Sequence, residues 1–225
     1  MKKRLILILA ALALFLGGCA AQTPIEESQT ETTAAQALCW SDLDFQQEPL
    51  SYAQEFTLAQ DQGYQKLTVG TDQTFLVVPE GSALPEGVPQ DVTVLRQPLQ
   101  NIYMVASASM DYFCKLDALD AIKLSSQKET SWYLPQARQA MEEGRILYAG
   151  KYSTPDYETI LASNCDLAVE NAMIYHTPDV LEQIQHLGIP VLVDRSSYES
   201  HPLGRMEWIK FYGALLNRQQ EARDY

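Results

Sequence analysis

Three short loops hold the residues of this 225-residue chain whose types suit contact with a ligand. The first is Ser107-Ala108-Ser109-Met110, whose hydroxyls and backbone N–H groups either meet a ligand acceptor or cap the helix that follows. The second is Lys151-Tyr152-Ser153, a cation beside an aromatic face, suited to an anionic or conjugated ligand or simply to solvent. The third runs from Asn171 to His176. Met173 and Tyr175 offer adaptable apolar contact there. Tyr175 and His176 are both possible iron ligands, although a lone histidine next to a helix start is more often structural or exposed. After the next apolar run come Arg195, Tyr198 and His201, within reach of the same cleft; Arg195 suits a ligand carboxylate or a local salt bridge.

Catalysis is not indicated. The sequence has no G-x-S-x-G, no phosphate loop, no H-E-x-x-H and no G-x-G-x-x-G. His176, His186 and His201 lack the spacing of a helical metal pair, so neither a resident metal nor a cofactor is expected.

The elements that must position these loops are short. Ile146 to Ala149, Asp166 to Val169 and Pro190 to Val193 are apolar runs without polar alternation, as in strands buried on both faces. Helices separate them, each opening on the same tripeptide, Thr154-Pro155-Asp156 and Thr177-Pro178-Asp179, with threonine as expected N-cap and proline at the first helical position. In the second helix Val180, Leu181, Ile184 and Leu187 share a face, and Gly188 and Pro190 end it. Strand, helix, strand, helix, strand with short links predicts a parallel sheet, and its carboxyl ends deliver the loops. Upstream, Tyr52 to Pro79 reads as an antiparallel meander turning at Asp61-Gln62-Gly63 and Gly70-Thr71-Asp72-Gln73. Strands are expected at Val92–Leu95, Ile102–Val105 and Ala121–Leu124, and helices from Ser107 to Leu116 and from Tyr133 to Glu143. From Pro202 a helix carries two apolar faces, Met206, Ile209, Gly213 and Leu216 on one and Trp208, Phe211, Tyr212 and Leu215 on the other, which asks for neighbours on more than one side.

Residues 1–18 read as a secretory leader: Lys2, Lys3 and Arg4 precede an apolar run that is too short to be a typical membrane span. The small residues before Cys19 resemble the bacterial lipobox, whose cysteine is lipidated; an ordinary leader with an incidental cysteine is the alternative. Residues 19–47, rich in Thr, Gln, Ala and Glu, are expected to be a disordered tether. The net charge of −13 argues against nucleic acid as a partner. Cys39, Cys114 and Cys165 lack metal or redox spacing and are expected to form no disulfide framework.

The ordered set GKYSTPDYETILASNCDLAVENAMIYHTPDVLEQIQHLGIPVLVDRSSYESHPLGRMEWIKFYGALL, behind that lipobox, resembles the solute-binding lipoproteins of ABC importers for iron-siderophore, haem and cobalamin. The resemblance spans about Tyr52 to Gln220. It implies an α/β three-layer lobe with a mostly parallel sheet, an N-terminal antiparallel meander and the start of a long interlobe helix. The lobe would occupy residues 48–201 and the helix 202–225, with the family's second lobe absent. Asn164-Cys165-Asp166 departs from the family's Pro-Asp. The resemblance further implies that Ser107, Ser109, Met110, Lys151, Tyr152, Met173, Tyr175, His176, Arg195 and Tyr198 line a cleft for a metal-chelate small molecule. Glu158 matches a family glutamate that meets permease arginines. The implied partners are the ABC permease subunits and, through Cys19, the outer face of the cell membrane. A lipid-anchored structural or interaction protein without a transport ligand is the other reading.

Overall fold

The computed structural model describes residues 37–225; the leader, Cys19 and most of the expected tether lie outside them. Strands β1 (Gln46–Gln47), β2 (Phe56–Asp61), β3 (Tyr64–Val69), β4 (Gln73–Val78) and β5 (Val92–Arg96) form one sheet in that order. The first four pair antiparallel, β2 to β4 as the meander pattern predicts, and β5 joins β4 in parallel. Gln62 and Gly63, at φ 48° and 87°, turn the β2–β3 hairpin with the twist its strands need.

One face of this sheet gives Phe56, Leu58, Leu67, Val69, Phe75 and Val77 to the main core. The other buries Tyr64, Leu76 and Val78 beneath Leu38, Trp40, Leu43 and Phe45. Ordered structure therefore starts well before residue 48, which corrects the expected extent of the tether. Gln46 pairs with Gln60, and Trp40–Asp42 form a 3-10 turn. The four apolar side chains among these residues have a sheet face to cover, and the polar composition around them hides that.

The second sheet is parallel throughout. Along the chain come β6 (Ile102–Met104), α1 (Met110–Lys115), β7 (Ile122–Ser125), α2 (Pro135–Glu142), β8 (Leu147–Tyr148), β9 (Gly150–Lys151), β10 (Thr154–Pro155), α3 (Tyr157–Ala162), β11 (Leu167–Asn171), α4 (Pro178–His186) and β12 (Val191–Asp194). They are followed by α5 (Pro202–Leu215) and α6 (Gln219–Asp224). The sheet order is β12-β11-β6-β7-β8, while β9 and β10 make a separate small hairpin. Residues of α1, α2 and α5 fill the core between the two sheets, and Ile160 of α3 and Ile184 of α4 cover the far face. The result is the expected three-layer α/β arrangement with a meander. β11 is buried on both faces, but β8 is an edge whose Leu147 and Tyr148 are exposed, contrary to expectation.

The paired tripeptides part company. Asp156, not Thr154, is the N-cap of α3, accepting from Thr159 N at 3.1 Å and Thr159 Oγ1 at 2.7 Å. Thr154 and Pro155 instead pair with Gly150 and Lys151. Thr177 does stand at the N-cap of α4, but its hydroxyl donates back to Ile174 O. Gly150 is irreplaceable in its hairpin: at φ +83°, a Cβ would sit 2.5 Å from Thr154 O.

The last helix is not one long element. α5 buries Trp208, Phe211 and Tyr212, with Trp208 4.9 Å from Phe56. It stops at Leu215, and Asn217 at φ +57° lets Arg218 N bond Gly213 O at 2.7 Å, a Schellman-type ending. α6 then folds back so closely that a Cβ on Gly213 would meet Ala222 at 2.7 Å. The core covers one apolar face of α5 and this return covers the Gly213 side, while Met206, expected on the same face as Gly213, is exposed.

Candidate functional site

The chain runs outward from β6 through β7 to β8, then returns to place β11 and β12 on the other side of β6. The reversal between β6 and β11 leaves a gap beyond their carboxyl ends, where ligands of open α/β sheets gather. A hollow of about 260 Å³ lies there, lined by Ala106–Ala108 after β6, Asn171–Met173 after β11, and Asp194, Ser197 and Tyr198 at β12. A larger hollow of about 610 Å³ opens at the opposite, amino ends of the strands, among Glu80, Asp117, Asp120, Lys123 and Arg218. The first position is where loops converge by construction of the fold, which makes it the candidate site.

The floor of the hollow is held by a buried carboxylate. Asp194 accepts from Ser109 Oγ at 2.9 Å, Tyr212 OH at 2.6 Å, and Ser196 N and Oγ at 2.9 and 2.6 Å. Burial and the neighbouring Asp194 charge drive the Tyr212 phenol well above its ordinary value, so it serves as a fixed donor. Ser109 and Met110 are fully buried. They are corrected from ligand contacts to floor and core: Ser109 spends its hydroxyl on Asp194, and Met110 packs in the main core. Ser107 stays exposed on the rim.

Two expected rim residues do meet. Met173, 48% exposed, and Tyr198, 56% exposed, both line the hollow. Arg195 stacks on the Tyr198 ring at 5.0 Å and is fixed by Glu55, Nε to Oε2 2.6 Å. That bond holds Arg195 more firmly protonated than a free guanidinium. The remaining expected residues do not converge here. Tyr175 faces a separate groove with Asp72, Gln73 and Gln185. Tyr152 packs against the layer of α3 and α4. Lys151 is exposed on the β9–β10 hairpin, and His176 is exposed and borders neither hollow. His201 caps α5 by accepting from Leu203 N at 3.1 Å and stacks on Tyr52 at 4.7 Å. Among the described residues, no group of three or more His, Cys, Asp or Glu is placed to hold a metal ion.

Sequence reasoning missed Asp194, Ser197 and Glu55. Asp194 was hidden at the end of an apolar run, and Glu55 lies 140 residues from its partner. The hollow thus has an apolar and aromatic rim at Met173 and Tyr198 and a floor whose carboxylate is already satisfied, while Arg195, paired with Glu55, stacks on Tyr198 without lining it.

No family model matches the chain. Two uncharacterized lipoproteins of Methanocaldococcus jannaschii are similar to it. One is 24% identical over 171 residues, 72% of this chain and 41% of its own length. The other is 25% identical over 208 residues, 85% of this chain and 51% of its own length. The chain thus spans about half the length of these relatives or less. Among solved structures, a possible iron-binding periplasmic solute-binding protein from Staphylococcus epidermidis aligns at TM-score 0.44 and 15% identity, covering 56% of this chain and 45% of that one. A periplasmic heme-binding protein from Pseudomonas aeruginosa aligns at TM-score 0.43 and 19% identity, covering 56% and 41%.

Proposed function

We propose that this chain is the N-terminal ligand-binding lobe of an extracytoplasmic, lipid-anchored substrate-binding protein that passes a metal chelate (iron-siderophore, haem or cobalamin type) to an ABC permease. The observation that carries the reading is the hollow beyond β6, β11 and β12, rimmed by Ser107, Met173 and Tyr198, with Arg195, paired to Glu55, stacked on the Tyr198 ring. An aromatic face and a cation suit a large, conjugated, anionic ligand. The sequence resemblance supports the same class, and the naming of both relatives as lipoproteins supports the anchor at Cys19.

At about 260 Å³ the hollow falls below the usual range for pockets that enclose a ligand. On this reading the chain contacts one side of its ligand without enclosing it. Its role is binding, with no bond made or broken. Glu158 stands exposed near the start of α3 and enters no ion pair among the described residues. We assign it to permease docking.

Titration of the chain with haem, ferric hydroxamate, ferric catecholate and cobalamin, read by quenching of its intrinsic fluorescence, tests the reading. Saturable binding of one chelate class is expected. A flat response to all four overturns it. Membrane fractionation of wild type and Cys19→Ala tests the anchor, with the variant expected to leave the lipid-anchored fraction.

A further inference from the structure

Glu170, near the end of β11, is fully buried, and neither of its carboxyl oxygens has a hydrogen-bond partner. Alternation along β11 sends Leu167 and Val169 into the core between the sheets and turns Ala168, and with it Glu170, toward the α3–α4 layer. Its register partner on β12 is Val193.

The titratable groups facing it are the phenols of Tyr103 on β6 and Tyr157 on α3. Tyr103 donates to Gly150 O at 3.3 Å, and Tyr148 and Cys165 lie behind it. α4 presents Ile184 to this layer, while its Asp179, Glu182 and His186 are exposed. Asp194 of β12 is engaged with Ser109 and Tyr212. No cation faces the carboxyl from any of these elements. An unpaired charge in such surroundings is so unfavourable that the group keeps its proton instead. Burial alone pushes the Glu170 carboxyl up to about 8.

The next residue, Asn171, accepts from Met173 N at 2.9 Å and starts the 3-10 turn Ala172–His176. Ala172 and Met173 form part of the rim of the hollow. We propose that Glu170 is a proton-operated switch: as a neutral acid it lets β11 and α3 close over it, and on losing its proton it draws water into that corner and loosens the turn 172–176. The switch belongs to the fold of this chain and goes beyond the ligand reading; it holds whatever the hollow takes.

Carbon-13 titration of the glutamate carboxyls, with Glu170→Gln for assignment, tests it together with amide protection factors for residues 171–176. One carboxyl is expected to titrate above about pH 7 in the wild type, and its signal to vanish in E170Q. Across that titration, protection of 171–176 is expected to fall about tenfold or more in the wild type and to stay level in E170Q. If E170Q does not fold, the wild-type titration and its protection series decide alone. Every glutamate titrating below about pH 6 overturns the proposal. So does protection that stays level through the titration, or that falls equally in both proteins.

Discussion

The side-chain amide of Gln73 closes on the main chain of Val193: its Oε1 accepts from Val193 N at 2.7 Å and its Nε2 donates to Val193 O at 3.1 Å. One amide thus replaces a neighbouring strand along the outer edge of β12, and it does so from the first residue of the other sheet's β4. Edge groups left open invite foreign strands, and here they are paired from within. Gln73→Ala is expected to cost about 1–3 kcal/mol, the range for leaving part-buried polar groups without partners. Urea unfolding of the variant measures it, and an unchanged midpoint would show the amide to be dispensable.

Glu207 fastens the entry to β2. It accepts from Ser51, Tyr52 and Ala53 N at 2.9, 2.6 and 2.8 Å. Burial opposes its charge, but these bonds and Lys210 outweigh it and hold the carboxyl down to about 2, against an ordinary 4.5. A folded value below the unfolded one stabilises fully above pH 4.5 and loses that contribution as pH falls toward 2. Glu207→Gln is expected to cost about 2–3 kcal/mol at neutral pH and to flatten the acid limb of the stability curve. Denaturant midpoints through the acid range check both; an acid limb as steep as wild type would contradict the account.

Ligand contact and folding separate at two tyrosines. Tyr198, on the rim, is expected to weaken chelate binding about tenfold when changed to Ala, with the unfolding midpoint unmoved. Tyr152, packed in the α3–α4 layer, is expected to do the reverse. Parallel titration and melting of the two variants decides, and equal loss of affinity in both would move the site toward the β9–β10 hairpin.

Permease docking is expected to rest on charge at Glu158. Glu158→Arg should leave chelate affinity intact and nearly abolish uptake, because a guanidinium on the permease then meets another. Transport assays at matched expression read this directly; full uptake by the reversed variant removes Glu158 from the interface.

The parallel sheet was legible because β11 and β12 open on unbroken apolar runs, Leu167 to Val169 and Val191 to Val193, with their polar residues only at the carboxyl ends. The loops at their ends followed from topology, which is why Met173 and Tyr198 were expected where they do line the hollow. Ser109 and Met110 were misread because a short polar-to-apolar step looks alike whether it caps a helix toward solvent or toward a buried acid. Pairings such as Gln73 with Val193, 120 residues apart, leave no local pattern. The strap from Leu38 to Phe45 was missed for a related reason: its apolar residues gain meaning only against a sheet face that lies elsewhere in the chain.

Asp194 has all its bonds committed before anything enters the hollow. A molecule entering on the proposed reading would meet no free acceptor on Asp194, but apolar area at Met173 and Tyr198 and the hydroxyls of Ser107 and Ser197. On that reading recognition would depend on contour more than on bonds to the floor, and tolerance among ligands of similar outline is the expected corollary. In a calorimeter, such an association shows itself by a negative change in heat capacity that scales with the apolar surface covered.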